Sequence, residues 1–265
     1  MTLLRATLFE TIVSSLKLIF CRKTQIKSKN KSKNKPKNKP KIKIAILISC
    51  EYLLSNYTLK SSNNDIVSIK DFLINYLYYK NEYIYLLKNF EKKNIIDFFT
   101  FIIKKINLNK QISTIFFYFT GHGIVNALIT EDLKLLYNFE IKNNFIDKIN
   151  KNIKLFGLVD ACHSENYFKL PFYYSNLQWL EHNNLNSPLC YALMISACRK
   201  NEITIEILNN SLITNLFISI ITKNKNITWY ELILKMNLNL ITNNYNQKPI
   251  LNSSKIFNVN TKINI

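Results

Sequence analysis

Five short, largely apolar runs constrain the fold of this chain more than any other feature: KIAILIS (43–49), EYIYLL (82–87), STIFFYFT (113–120), KLFGLVD (154–160) and YALMISA (191–197). Runs of this length with little alternation suit strands covered on both faces, as parallel sheets require. Between them, apolar residues recur at helical spacing over 66–79, 92–106 and 141–149. Further helical stretches lie near 211–221 and from Trp229, where Thr228 and Glu231 have capping-box spacing. Residues 126–139 alternate weakly, as short hairpin strands do, and PILN (249–252) is the last strand candidate. This βαβα alternation predicts an α/β fold, with a mostly parallel central sheet and helices on both faces. No internal repeat is visible.

A hydrophobic share of 48% over 265 residues suffices for a real core and excludes disorder throughout. Three Gly and five Pro exclude a collagen-like chain, and neither G-x-G-x-x-G nor G-x-x-x-x-G-K-[ST] occurs. The five cysteines are odd in number and form no C-x-x-C pair, so neither a disulfide framework nor a zinc site is expected. A reducing, intracellular and cytoplasmic setting follows. His122, His163 and His182 lack ligand spacing, and neither a metal site nor a cofactor is expected.

The net charge of +19 is concentrated: residues 22–43 carry eleven basic side chains and no acidic one. Lys, Asn, Ser and Pro alternate there without apolar periodicity, so residues 21–41 read as a low-complexity linker. It is either merely solvated or an electrostatic tether to RNA, DNA or anionic lipid. Ahead of it, residues 1–20 have an amphipathic helical pattern that Arg5, Glu10 and Lys17 interrupt, too short for a membrane span. Such a segment docks on the protein body or lies on a membrane surface.

In parallel sheets, chemistry gathers beyond the carboxyl ends of the strands. The third run ends at Gly121-His122-Gly123 and the fourth at Ala161-Cys162-His163. If these strands are neighbours, a catalytic base and a thiol nucleophile reach the same edge. The pairing makes chemical sense, because only the thiolate attacks well and an adjacent imidazole promotes its formation. The plainer alternative is a strand-end turn with a buried thiol. His precedes Cys by forty residues, the reverse of the papain-like order.

These residues resemble the metacaspases of the caspase-like cysteine peptidase clan. FYFTGHG is similar to the family's S-G-H-G strand end, and LVDACHSE to its D-x-C-H-S-G nucleophile segment. Four further segments match in order: residues 59–65 (L-x-G-C-x-N-D), KLPFYYS (D-L-P-F-x-Y-S), ISACRKNE (I-S-G-C-x-D-D-Q) and YNQKPILNSS (Q-x-P-x-L-S-S). The resemblance implies a caspase-like sandwich over 42–265, with His122 as general acid/base and Cys162 as nucleophile. It also implies an oxyanion hole from the N–H groups of Gly123 and Cys162. The pocket for the residue before the scissile bond would use Ser62, Asp65, Thr120 and Asp160, and its two acids suit Arg or Lys.

Where this chain departs from the pattern, Ser62 replaces Cys, Thr120 replaces Ser, Glu165 replaces a Gly and Lys169 replaces a calcium-binding Asp. An ammonium opposes calcium binding. Lys169 either pairs with Glu131, Asp132 or Glu165 or points to solvent. The expectation is a monomeric, calcium-independent cysteine endopeptidase acting on polypeptides after Arg or Lys. The alternatives are an inactive caspase-like binding module, or a chain whose function is the basic arm.

Overall fold

The computed structural model describes residues 40–207 and 210–265; the amphipathic segment and nearly all of the basic arm lie outside the described residues. In chain order the strands are β1 (Ile42–Ser49), β2 (Ile84–Lys88), β3 (Ile112–Thr120), β4 (Gly123–Ile124), β5 (Ala127–Ile129), β6 (Leu135–Tyr137), β7 (Lys154–Asp160), β8 (Phe172–Ser175), β9 (Gln178–Glu181), β10 (Tyr191–Ser196), β11 (Glu206–Ile207), β12 (Asn210–Ser211) and β13 (Ile250–Ser253). The helices are α1 (Ser61–Asn75), α2 (Lys92–Leu108), α3 (Asn138–Asn144), α4 (Leu212–Lys223) and α5 (Trp229–Thr242).

Eight strands form the central sheet in the order β2-β1-β3-β7-β10-β13-β8-β9. The first five pair in parallel, and the last three join antiparallel. All five apolar runs are strands of the parallel part. Successive side chains of β3 point to opposite faces, and each face finds its own helices. Phe116 packs on Phe156 and on Phe217 of α4, within a buried cluster that includes Ile66 and Phe72 of α1 and Trp229 and Leu232 of α5. Phe117 packs on Phe99 of α2, on Phe145 just after α3, and on Phe168. Burying each such ring contributes about 1.5–3 kcal/mol.

Several elements differ from the sequence expectation, the short β11–β12 ribbon among them. Helix α1 starts at Ser61 rather than near 66, so Ser62 and Asp65 lie in its first turns instead of a loop. The helix expected over 141–149 is α3 followed by a short 3-10 turn, Ile146–Lys148. The β8–β9 hairpin was not expected. Its two-residue turn, Asn176-Leu177, has φ of 48° and 64°. Both central residues of a type I′ turn are left-handed, and leucine gives no sequence signal for that conformation. The capping box at α5 is present: Thr228 Oγ1 accepts the Glu231 N–H (3.2 Å) and Glu231 accepts the Thr228 N–H (2.9 Å).

Candidate active site

Strands β3 and β7 are adjacent and parallel, with Thr120 beside Asp160 in the register. Each is followed within two residues by a reactive side chain, His122 or Cys162. The chain crosses between them at close range. The Gly121 N–H donates to the Asp160 carbonyl (3.3 Å), and a Cβ on Gly123 would lie 2.4 Å from the Cys162 carbonyl oxygen. Glycine at 123 is therefore what lets β4 lie against the Cys162 peptide. His122 and Cys162 line one cavity of about 110 Å³ with Leu59, Thr120, Asp160 and Thr204.

The imidazole is held from two sides. Its Nε2 lies 2.7 Å from the Tyr57 carbonyl oxygen. A carbonyl only accepts, so Nε2 carries the proton and Nδ1 is left as the basic nitrogen. The buried Tyr52 ring packs on the imidazole at 4.7 Å, and its hydroxyl accepts the His122 backbone N–H (2.7 Å) while donating to the Ile129 carbonyl (2.7 Å). Tyr52 sits at φ 55°, and the Glu131 carboxylate fixes that turn by accepting the N–H groups of Glu51 (3.1 Å), Tyr52 (2.9 Å) and Leu53 (3.3 Å). Thus Glu131 positions Tyr52, and Tyr52 positions His122.

Cys162 is half-buried, whereas Cys50, Cys190 and Cys198 are buried. Burial pushes the Cys198 thiol up to about 11 and the Cys190 thiol up to about 12, and it raises Cys50 as well. Those three are inert at neutral pH. The Cys162 sulfur accepts the Thr204 N–H (3.3 Å) and lies 3.5 Å from the Thr204 hydroxyl. Sulfur and imidazole are not hydrogen-bonded to each other here. Such catalytic contacts commonly tighten only with substrate bound.

Behind the cavity lie two buried acids. Asp160 Oδ2 accepts from the Ser211 hydroxyl, the Thr214 N–H (3.1 Å) and the Thr214 hydroxyl (2.6 Å), while Oδ1 is buried with no partner. Asp65 accepts the Ser211 N–H (2.9 Å) and, more weakly, the Thr120 hydroxyl (3.4 Å). Burial pushes Asp65 up to about 8, and the Asp160 charge adds to that. Burial likewise raises Asp160, against the pull of its Ser211 and Thr214 hydrogen bonds. Ser62 is fully buried with its hydroxyl unpartnered, and its neighbour Ser61 is the serine that lines the cavity.

On the other side of Cys162 is a larger cavity of about 580 Å³, lined by His163, Glu165, Lys169, His182 and Lys200 among others. Neither Glu131 nor Asp132 reaches Lys169. Glu131 is occupied by backbone N–H groups, and Asp132 pairs with Lys134 (3.0 Å). Of the two alternatives for Lys169, the pairing is not made: the ammonium has no ion pair among the described residues. His163 (φ 56°) and Lys169 (φ 51°) take the left-handed conformation in this loop, whereas Glu165 does not. This lining carries one carboxylate, Glu165, beside the ammonium groups of Lys169 and Lys200, whereas a hard cation wants several oxygens and no competing positive charge. No group of three or more His, Cys, Asp or Glu suited to a metal occurs among the described residues. The residues present do not fit calcium.

Sequence reasoning missed Tyr52, Tyr57, Ser61, Thr204, Glu206, Ser211 and Thr214. Tyr57 acts through its backbone, and the others are ordinary polar residues outside the two strand ends; Glu131, read from the sequence as a possible partner of Lys169, instead holds the Tyr52 turn.

The comparisons bear on the family and the fold. A family model described as the caspase domain matches residues 42–260. The chain is 25% identical over 253 residues to Metacaspase-1 of Plasmodium falciparum, covering 82% of this chain and 41% of that protein. It is 22% identical over 293 residues to Metacaspase-1 of Yarrowia lipolytica, covering 82% and 63%. The chain thus spans less than two thirds of the length of these relatives. Among solved structures, it superposes with a TM-score of 0.61 on Caspase-1 from Spodoptera frugiperda, at 12% identity, covering 87% of this chain and 94% of that one. A protein from Geobacter sulfurreducens gives a TM-score of 0.63 at 14% identity, covering 84% and 97%. At these identities the likeness is one of fold. No helix among the described residues is long and apolar enough to cross a membrane.

Proposed function

The chain belongs to the caspase-domain family, and from that premise we propose that it is a calcium-independent cysteine endopeptidase cleaving polypeptides after Arg or Lys. The observation that carries this reading is the buried Asp160 carboxylate, with one unpartnered oxygen, in the cavity that also holds His122 and Cys162. A buried acid oxygen without a donor is costly, and a guanidinium or ammonium supplies the missing donor and the opposite charge.

The chemistry runs on this chain's own groups. With a basic side chain in the cavity, Cys162 passes its thiol proton to His122 Nδ1, and the resulting thiolate attacks the scissile carbonyl carbon. The N–H groups of Gly123 and Cys162 take the developing oxyanion. His122, its Nε2–H tied to the Tyr57 carbonyl, delivers a proton from Nδ1 to the leaving amine as the C–N bond breaks. The acyl-thioester is then hydrolysed by water that His122 deprotonates, which restores the thiol. The cationic lining of the larger cavity supports the calcium-independent part of the reading.

Paired reporter peptides ending in Arg, Lys or Asp test it. Arg and Lys reporters are cleaved, the Asp reporter is not, and Cys162→Ala abolishes cleavage. Equal cleavage after Arg and Asp removes the pocket assignment. Deleting residues 1–41 separates this reading from the tether reading: the peptidase keeps its peptide turnover, whereas a tether loses its anionic partner.

A further inference from the structure

The rim of the small cavity carries a third carboxylate. Glu206, on the short strand β11, lines the cavity with Asp160, Thr204 and Ser211, and it accepts a hydrogen bond from the Ser61 hydroxyl (2.5 Å). The two buried acids are largely spent within the protein: Asp65 on Ser211 and Thr120, and Asp160 Oδ2 on three donors. The floor therefore has one acceptor without a donor, the buried Asp160 Oδ1. That suits a compact ammonium. A guanidinium presents five N–H donors in a planar fork and needs acceptors in more than one direction.

We propose that Glu206 is a specificity-determining residue, the rim carboxylate that together with Asp160 brackets a guanidinium and makes the enzyme favour Arg over Lys. This rests on the cavity being the pocket for the residue before the scissile bond. Glu206 is exposed, and the hydrogen bond from Ser61 holds its carboxylate at the cavity, where an incoming side chain can reach it. Its charge also reaches the floor, where it helps to hold both Asp65 and Asp160 above the ordinary carboxylate range. The other titratable groups around the cavity are His122, Cys162 and the buried phenol of Tyr118, which feels both aspartates. Removing Glu206 thus has two separable consequences. Binding of Arg weakens, and ionisation of the floor acids moves to lower pH.

The test compares wild type with Glu206→Gln, Glu206→Asp and Ser61→Ala on Arg and Lys reporters across pH 6–9. Glu206→Gln is expected to lower kcat/KM for Arg by about 10- to 100-fold, mainly through KM, and for Lys by less than about threefold. The pH midpoint of KM falls with it. Glu206→Asp recovers part of the Arg preference, and Ser61→Ala, which cuts the tie but keeps the charge, changes the Arg-to-Lys ratio by less than about threefold. Thermal unfolding midpoints confirm that the variants are folded. Cleavage with an unchanged Arg-to-Lys ratio in Glu206→Gln overturns the assignment of Glu206 alone. An equal loss on both reporters makes it a structural residue and also overturns it. No cleavage of either reporter by the wild type sinks the peptidase reading, and this inference with it.

Discussion

Two cavities flank the end of β7, and their charges are opposite. The small one, on the Cys162 side toward β3, is floored by Asp160 with Asp65 behind it and rimmed by Glu206. The large one, on the side of the loop that follows, is lined by Lys169, Lys200, His163 and His182 against Glu165. Their burial differs too. The floor acids are fully enclosed and fixed by hydroxyl and N–H donors, whereas Lys169 and the two histidines are half-exposed and Lys200 is exposed. A chain of net charge +19 thus encloses acids in the small cavity, the proposed substrate pocket, and carries lysines around the large one. Global charge acts at long range and is screened by salt; the pocket acts at contact, in a poorly screened interior. If the small cavity is the substrate pocket, as proposed, the enclosed pair outweighs the exposed excess for specificity.

The contrast breaks most visibly at its buried end. Asp160→Asn keeps the shape of the floor and removes its charge, and kcat/KM for an Arg reporter should fall on the order of 100-fold. Stability should not fall in parallel. A buried acid whose folded-state pKa is raised disfavours folding once the unfolded chain ionises, so neutralising it leaves the unfolding midpoint at pH 8 unchanged or higher. A large drop in both would make Asp160 a structural residue.

A smaller effect comes from pH. Asp65 is pushed up to about 8, so it is mostly neutral at pH 6 and mostly ionised at pH 9. KM for basic reporters should fall as pH rises toward 8, by up to about tenfold per unit. Stability runs the other way. The folded protein holds a proton that the unfolded chain has already lost above about pH 4, so this group's contribution declines as pH rises from there to 8 and then levels off. A KM that stays flat between pH 6 and 8.5 would show that Asp65 does not contribute to substrate binding.

The smallest effect belongs to the basic cavity. Lys169→Ala removes an ammonium without an ion pair among the described residues and keeps a side chain at the same left-handed φ. Activity and stability should change by less than about 1 kcal/mol. Millimolar calcium or a chelator should leave peptide cleavage within about twofold. Many-fold activation by calcium would dissolve the contrast, because it would require a cluster of acidic ligands in a cavity whose lining holds one carboxylate and two lysines.

Much of this was legible in advance where the information is local. The apolar runs ending at His122 and Cys162 predict buried parallel strands, because only double-sided burial favours seven or eight apolar residues without alternation. The Thr228 and Glu231 pair predicts a helix start from the hydrogen bonds such a pair makes with its own backbone. The start of α1 was less legible. Apolar periodicity begins only at Ile66, and the polar first turns around Ser62 and Asp65 are helical because the fold buries them. The β8–β9 hairpin was hidden by Leu177, whose left-handed conformation is imposed by the turn and the paired strands.

What the sequence by itself determined was the five apolar strands, their parallel character, and the reactive side chain at each of two strand ends. What only the tertiary structure decided was which polar groups meet around those ends. Ser211 and Thr214 reach Asp160 from more than fifty residues away, Ser211 reaches Asp65 across 146, and Glu131 reaches Tyr52 across 79. The physical reason is that burial selects these partners. A buried carboxylate or N–H must be satisfied by whatever the packing brings within reach, and that packing is a property of the whole fold.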